Sequence, residues 1–167
     1  MLLAAIAGWT DWRSRRIPNW LTVSGLAVGV ATNTVTGGWS GLKSSLLGAL
    51  LGLGVLLPFV LLRSLGAGDW KLSGALGAFT GPGLLLYLLF WSVFVAGLMA
   101  LVLIVYKGRV LRTFRNIGHI LVSLVTFRSP GIEVSLDNPE SLKVPYGVAL
   151  ALTVVFYGLV QLRSFAR

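Results

Sequence analysis

The sequence predicts an all-α protein, a polytopic transmembrane helix bundle with about six membrane helices and one amphipathic helix on the cytoplasmic side. Of its 167 residues, 56% are hydrophobic and only 11% are charged, and the mean hydropathy is +0.86. An ordinary soluble domain has about 25% charged residues, and a soluble fold of this length cannot hide so much apolar surface. The apolar residues also form long runs, and the basic residues fall between those runs.

The long apolar runs define the predicted membrane helices. A helix needs roughly 17–25 residues to cross a hydrocarbon core of about 30 Å. The runs that reach or approach this length are Trp20–Val35, Ser44–Leu62, Gly83–Tyr106 and Val144–Leu162. A shorter run, Leu72–Thr80, is rich in Gly and Ala. Because small residues let neighbouring helices approach closely, this run is predicted to pack inside the bundle as a short or re-entrant helix.

The first apolar segment is shorter than a full span. The residues before Asp11 provide only about 15 Å of helix at 1.5 Å per residue. Either the first helix crosses one leaflet of the membrane, or the native start lies upstream of Met1, and we expect the second. The whole chain, residues 1–167, is predicted to be a single membrane-embedded domain, since its length suits one domain.

The charge distribution predicts the orientation in the membrane. The net charge is +9, from 14 Lys and Arg against 5 Asp and Glu. Positive residues are concentrated in Asp11–Asn19 and Lys107–Lys143, which are therefore predicted to face the cytoplasm, while the connecting segment Thr36–Lys43 lies outside. No nucleic-acid-binding signature accompanies the charge. The expected partner of these residues is the lipid bilayer, and nucleic acid is not expected to bind.

A basic amphipathic helix is predicted between Val110 and Leu124, where apolar residues recur at near-helical spacing. Such a helix lies at the inner membrane surface, although a helix packed on the bundle with one face in solvent explains the pattern equally well. His119 is the only His and the chain has no Cys. We therefore expect no metal site, no disulfide and no cofactor.

Asp11 and Asp69 are the acidic residues expected at the membrane, since the other three, Glu133, Asp137 and Glu140, fall in one predicted loop. Acidic residues at membrane depth are costly and usually functional. In the predicted topology, each of the two lies at the cytoplasmic edge of an apolar segment. Two carboxyls that approach closely share one proton, so that one can activate water while the other polarises a peptide carbonyl. The sequence therefore predicts an aspartic peptidase, and it assigns neither residue a fixed role.

Each of these residues also has a simpler explanation. Asp69 could cap the short helix that follows it. Asp11 could belong to a basic cytoplasmic turn in which Pro18 begins the next helix. Lys71 could balance the charge of Asp69 or face a lipid phosphate. Gly66 and Gly68, before Asp69, permit unusual backbone angles and the close approach of a substrate strand.

Three short motifs carry a resemblance to a known family. Asp11–Asn19 reads D-x-x-x-R-R-I-P-N, Gly66–Leu72 reads G-A-G-D-W-K-L, and Val144–Gly147 reads V-P-Y-G. In this order and spacing they resemble the type IV prepilin peptidase family of G-x-G-D aspartyl proteases. The short form of the family, used with Flp-type or tight-adherence pili, is the most similar.

The resemblance implies a multi-pass enzyme of the bacterial inner membrane that cuts the leader from prepilins or pseudopilins at the cytoplasmic face. By motif position, Asp11 and Asp69 carry over as the catalytic pair. The other motif positions give the supporting residues, which are Pro18, Asn19, Gly66, Gly68, Lys71, Pro145 and Tyr146. Larger members have an extra domain with paired cysteines that is linked to N-methylation. Because this chain has no Cys, we expect cleavage without methylation; the oligomeric state stays open.

Two other functions remain open at this point. A small proton- or cation-coupled transporter would use the carboxyls to carry ions, and such acids usually lie near the middle of the membrane. A non-catalytic pilus assembly factor would bind pilin helices without cutting them. The chain has no internal repeat of the kind that transporters often have, and its two aspartates lie at membrane edges, so the peptidase is favoured.

Overall fold

The computed structural model describes residues 1–62, 65–108 and 144–165. These ranges contain the helices α1 (Leu2–Ser14), α2 (Asn19–Leu61), α3 (Ala67–Tyr106) and α4 (Tyr146–Phe165) and no strand, so the prediction of an all-α protein is confirmed for the described residues. By length and composition, α2, α3 and residues Tyr146–Ser164 of α4 could each cross a membrane.

Both long helices bend at a glycine with a positive φ angle. The backbone leaves helical geometry at Gly38 (φ 56°, ψ −137°) in α2 and at Gly81 (φ 72°, ψ 175°) in α3. Gly adopts such angles without the steric cost that a side chain imposes. Beyond Gly38 the chain doubles back, because Gly41 lies against the backbone of Asn33, whereas residues two turns apart in a straight helix are separated by about 11 Å. α2 is therefore a helical hairpin.

The two bends fall where the sequence separates its apolar runs. The connecting segment Thr36–Lys43 is itself helical apart from Gly38. In α3, the short run Leu72–Thr80 precedes Gly81 and the long run Gly83–Tyr106 follows it. The number of membrane crossings stays a prediction.

Side chains from α2 stabilise the bend of α3. In a regular helix, each N–H donates to the carbonyl four residues earlier. Pro82 has no N–H, so the carbonyl of Ala78 lacks this donor. Instead, Asn33 Nδ2 donates to the carbonyl oxygens of Ala78 at 2.7 Å and Phe79 at 3.1 Å. Ser45 Oγ also donates to the Ala78 carbonyl at 2.5 Å. Both arms of the α2 hairpin therefore supply donors to the carbonyls next to the bend, which apolar surroundings could not do.

The second arm of α2 packs closely against the first part of α3. Gly48 lies directly against Gly77. A Cβ on Gly52 would lie 2.5 Å from the carbonyl oxygen of Ser73, and Ser73 Oγ donates to the Gly52 carbonyl at 2.8 Å. Because these backbones touch, only small residues fit between them, as in many packed membrane helices.

α1 and α4 run antiparallel and in contact. A Cβ on Gly158 would lie 2.5 Å from Met1 Sδ, and a Cβ on Gly8 would lie 2.6 Å from Ala151 Cβ. Residues later in α1 contact residues earlier in α4. The end of α1 therefore meets the beginning of α4.

The chain divides into two compact units, Met1–Ala96 with Pro145–Arg167, and Gly97–Val144. All residues of the candidate site belong to the first unit. The second contains the end of α3. The amphipathic helix predicted between Val110 and Leu124 lies outside the described residues. The single-domain organisation and an upstream start stay predictions.

Candidate active site

Asp11 and Asp69 lie close together although they come from different helices. Asp11 is in the last turn of α1 and only 7% exposed, and Asp69 is half-buried in the first turn of α3. A Cβ on Gly147, in the first turn of α4, would lie 2.8 Å from Asp11 Oδ2 and 2.9 Å from Asp69 Oδ1. The two oxygens are therefore separated by less than the sum of these distances, which is within the roughly 6 Å over which like charges perturb each other.

Backbone N–H groups of α4 face the Asp11 carboxyl. The N–H of Val148 donates to Asp11 Oδ2 at 3.2 Å, and the same N–H lies 3.2 Å from the carbonyl oxygen of Pro145. The first N–H groups of a helix have no intrahelical partners, and the positive end of its dipole favours an anion. The start of α4 is therefore suited to hold a carboxylate.

Asp11 lies outside the three candidate membrane spans, and its environment acts on its pKa in two directions. Burial raises the pKa of the carboxyl above its ordinary value of 3.8. The N–H groups of Val148 and Gly147 and the positive charge of Arg15 lower that pKa and offset the burial in part. The proton of Asp11 is therefore held more tightly than that of an exposed aspartate.

The Asp69 carboxyl is less completely satisfied. Within the described residues, its Oδ1 is buried and has no partner in hydrogen-bond geometry. A buried acceptor without a donor is costly. This oxygen and Asp11 Oδ2 lie beside the same position on Gly147, close enough for each carboxyl to affect the protonation of the other.

The glycines before Asp69 have different neighbours. A Cβ on Gly66 would lie 3.2 Å from Asp69 Oδ2, and one on Gly68 would lie 3.1 Å from Ile17 Cβ. The neighbour that Gly68 admits is therefore Ile17, the residue before Pro18. Ile17 is 8% exposed, and its Cδ1 would be 3.0 Å from a Cβ on Gly147. Ile17 thus forms an apolar wall beside the two carboxyls.

Lys71 and Asn19 join the beginnings of α3 and α2. Lys71 Nζ donates to Asn19 Oδ1 at 2.9 Å. Asn19 is the first residue of α2, and Pro18 precedes it as the N-cap with an extended backbone (φ −64°, ψ 140°). Lys71 therefore bonds a neutral amide, whereas the sequence led us to expect either the charge of Asp69 or a lipid phosphate as its partner.

Pro145 and Tyr146 begin α4. The Pro145 carbonyl accepts from the N–H groups of Val148 at 3.2 Å and Ala149 at 3.4 Å. The Tyr146 hydroxyl and Ser92 Oγ are 2.8 Å apart, and Ser92 Oγ donates to the Leu89 carbonyl at 2.7 Å. Either hydroxyl can be the donor in their shared bond. Tyr146 therefore fixes α4 against α3 beside the carboxyls.

Gly147, Val148 and Ile17 are residues of the site to which the sequence assigned no role. Gly147 and Ile17 stood within the motif strings, and Val148 directly follows one of them. Their positions between the carboxyls depend on contacts among helices, which a sequence does not report. The available signal was that Gly147 and Val148 follow a proline at the start of an apolar run, where free N–H groups are expected. Among the described residues, no group of three or more His, Cys, Asp or Glu could hold a metal ion.

The structure thus brings two carboxyls, from α1 and α3, together at the start of α4 in a protein with three helices long and apolar enough to cross a membrane among its described residues. Residues 1–101, more than half of the chain, match the type IV leader peptidase family. The chain belongs to this family, and the predicted family membership is confirmed. The match includes both aspartates and indicates a multi-pass membrane peptidase. Comparisons with curated proteins and with solved structures found no match.

Proposed function

We propose that the protein is an aspartic endopeptidase that cleaves the leader peptide of prepilin- or pseudopilin-like substrates, with Asp11 and Asp69 as its catalytic pair. The observation that carries this proposal is the meeting of one oxygen from each carboxyl beside Gly147, at 2.8 and 2.9 Å from the position of a Cβ on that residue. Membership of the type IV leader peptidase family supports a leader peptide as the substrate.

The chemistry needs one proton on the pair. The ionised carboxyl takes a proton from a water molecule, and the resulting hydroxide attacks the scissile carbonyl carbon. The protonated carboxyl donates to the carbonyl oxygen and stabilises its negative charge. When the tetrahedral intermediate collapses, the C–N bond breaks and a proton passes from the pair to the leaving amine. The products are a leader with a new carboxylate and a mature chain with a new amine.

The membrane arrangement belongs to the same proposal. Two arms each from α2 and α3, together with α1 and α4, make about six membrane helices. Arg13, Arg15 and Arg16 follow Asp11 directly, and this supports a site that faces the cytoplasm from the inner membrane of a bacterium. The chain has no Cys, which supports the short form of the family and cleavage without methylation.

Cleavage of a prepilin by the purified full chain in liposomes, followed by mass spectrometry, tests the proposal. The wild-type chain should yield a shortened product with an unmethylated amine. Asp11→Asn and Asp69→Asn should each lower the rate by about 10²–10⁴-fold, the usual contribution of a general acid or base. Asp137→Asn, in the predicted loop, is the matched control and should cleave normally.

Other outcomes would identify other functions. Full cleavage by either Asn variant would remove that aspartate from the mechanism. A substrate that binds but keeps its mass would instead favour an assembly factor. A proton flux into the liposomes that disappears in Asp69→Asn would favour a transporter.

A further inference from the structure

Gly147 occupies the point where the first, third and fourth helices meet. It is buried, and three side chains surround the position of its absent Cβ: Asp11 Oδ2 at 2.8 Å, Asp69 Oδ1 at 2.9 Å and Ile17 Cδ1 at 3.0 Å. Contacts this short leave no room for a methyl group. Two of the three atoms are the facing oxygens of the carboxyl pair. Any side chain at this position would therefore push the carboxyls away from α4 or from each other.

The backbone of the same turn also acts on the pair. The N–H of Val148 donates to Asp11 Oδ2 at 3.2 Å. Without a side chain, Gly147 can lie close to both carboxyl oxygens while the next residue donates to one of them. The turn thus limits the distance between the carboxyls and gives Asp11 a donor.

We infer that Gly147 is a positioning residue of the peptidase, which sets the separation of Asp11 and Asp69 through direct contact with both carboxyls. This inference rests on the proposed function. It extends the site beyond residues 1–101, which carry the family match, to the beginning of α4. Gly147 takes no part in bond making or breaking; it holds the geometry that lets one water molecule contact both acids.

Gly147→Ala should lower kcat by about 10²-fold or more with little change in KM, because displacing catalytic groups by about 1 Å has an effect of that size. The bell-shaped pH profile of kcat should also narrow, because carboxyls held farther apart share a proton over a smaller range of pH. A substitution that only loosened the fold would lower the amount of active enzyme and leave the shape of this profile unchanged.

Two matched Gly→Ala controls separate positioning from packing. Within the described part of the chain, a Cβ on Gly54 would have no neighbour within 4 Å, so Gly54→Ala should leave kcat and the thermal midpoint unchanged or slightly raise the midpoint. A Cβ on Gly8 would lie 2.6 Å from Ala151 Cβ, in the same α1–α4 contact but not against a carboxyl. Gly8→Ala should therefore lower the thermal midpoint while the pH profile keeps its width.

A double variant tests the third neighbour. Ile17→Val removes the Cδ1 atom near Gly147 and keeps the rest of the apolar wall. If contact with the carboxyls causes the defect, Ile17→Val combined with Gly147→Ala should remain as slow as Gly147→Ala alone. Recovery of kcat in the double variant would assign the defect to crowding of Ile17 and would overturn the inference.

The remaining outcomes are also decisive. The inference is overturned if Gly147→Ala keeps the wild-type kcat and pH profile, or if Gly8→Ala lowers kcat and narrows the profile equally. The proposed function fails separately, if the wild-type chain does not cut or if Asp11→Asn and Asp69→Asn cut as well as the wild type.

Discussion

The two ends of residues 67–80, the first part of α3, place polar groups in apolar surroundings in opposite ways. At the end of this segment, the Ala78 carbonyl accepts from both Asn33 Nδ2 and Ser45 Oγ. At its beginning, Asp69 Oδ1 is buried and has no hydrogen-bond partner among the residues that the structure describes. Satisfied polar groups stabilise and fix a structure, whereas an unsatisfied acceptor costs stability. In the proposed enzyme, the end of this segment is therefore the rigid part and its beginning is the reactive part.

The largest effect on stability is expected at the rigid end. Asn33→Ala removes the donor to two carbonyls and should lower the free energy of unfolding by about 1–3 kcal/mol. Ser45→Ala should cost less, since Asn33 still donates to Ala78. Thermal unfolding in detergent measures both changes. The rate of cleavage below the midpoint should stay near the wild-type rate, and a Ser45→Ala loss larger than that of Asn33→Ala would contradict this ranking.

A smaller change, an increase in stability, is expected when the carboxyl of Asp11 beside the reactive end is removed. Because burial raises the pKa of Asp11 in the folded chain, the folded state holds this proton to higher pH than the unfolded state, and stability falls as the pH rises above 3.8. Asp11→Asn removes this loss and still accepts from the Val148 N–H. Its thermal midpoint should therefore exceed that of the wild type at neutral pH.

The difference between Asp11→Asn and the wild type should shrink as the pH falls toward 3.8, the ordinary pKa of the carboxyl. Asp137→Asn, in the predicted loop, is the control and should show no such trend. If Asp11→Asn were less stable than the wild type at every pH, the carboxyl would be a stabilising group, and the contrast between the two ends would be lost.

The smallest effect is expected for the hydrogen bond between Lys71 and Asn19, which lies at the surface. Lys71→Met and Asn19→Ala should each change the free energy of unfolding by about 0.5 kcal/mol or less, as is usual for surface substitutions. Because the two residues share one bond, the double variant should lose no more than either single variant. Losses that add in the double variant would show that each side chain has a separate role.

Much of the helical layout can be predicted from the sequence, because the length of an apolar run is a local property. The turns between the arms are harder to predict. The segment Thr36–Lys43 looks like a connection, yet it is helical except at Gly38. The reversal there depends on the contact between Gly41 and Asn33. That contact forms between the two arms of the hairpin, so no local sequence pattern predicts it.

The residues of the candidate site also differ in how readily the sequence identifies them. Asp11 and Asp69 stand out in a sequence with five acidic residues, since acids beside apolar runs are uncommon. Gly147 does not stand out among 21 glycines. Its importance comes from three side chains that reach it from α1, α3 and the connection before α2. The motif identified Lys71 as a candidate site residue. Its hydrogen bond with Asn19, which lies in another helix, could not be predicted from that motif.

The contact between α1 and α4 has a consequence for biosynthesis. Asp11 leaves the ribosome before α2 and α3, whereas Gly147 and Val148, which hold its carboxyl, leave it after both of those helices. A nascent chain that contains only α1, α2 and α3 still lacks the start of α4, which contacts both aspartates. The surroundings of the carboxyl pair are therefore completed only after α3 has been made, when α4 packs beside α1.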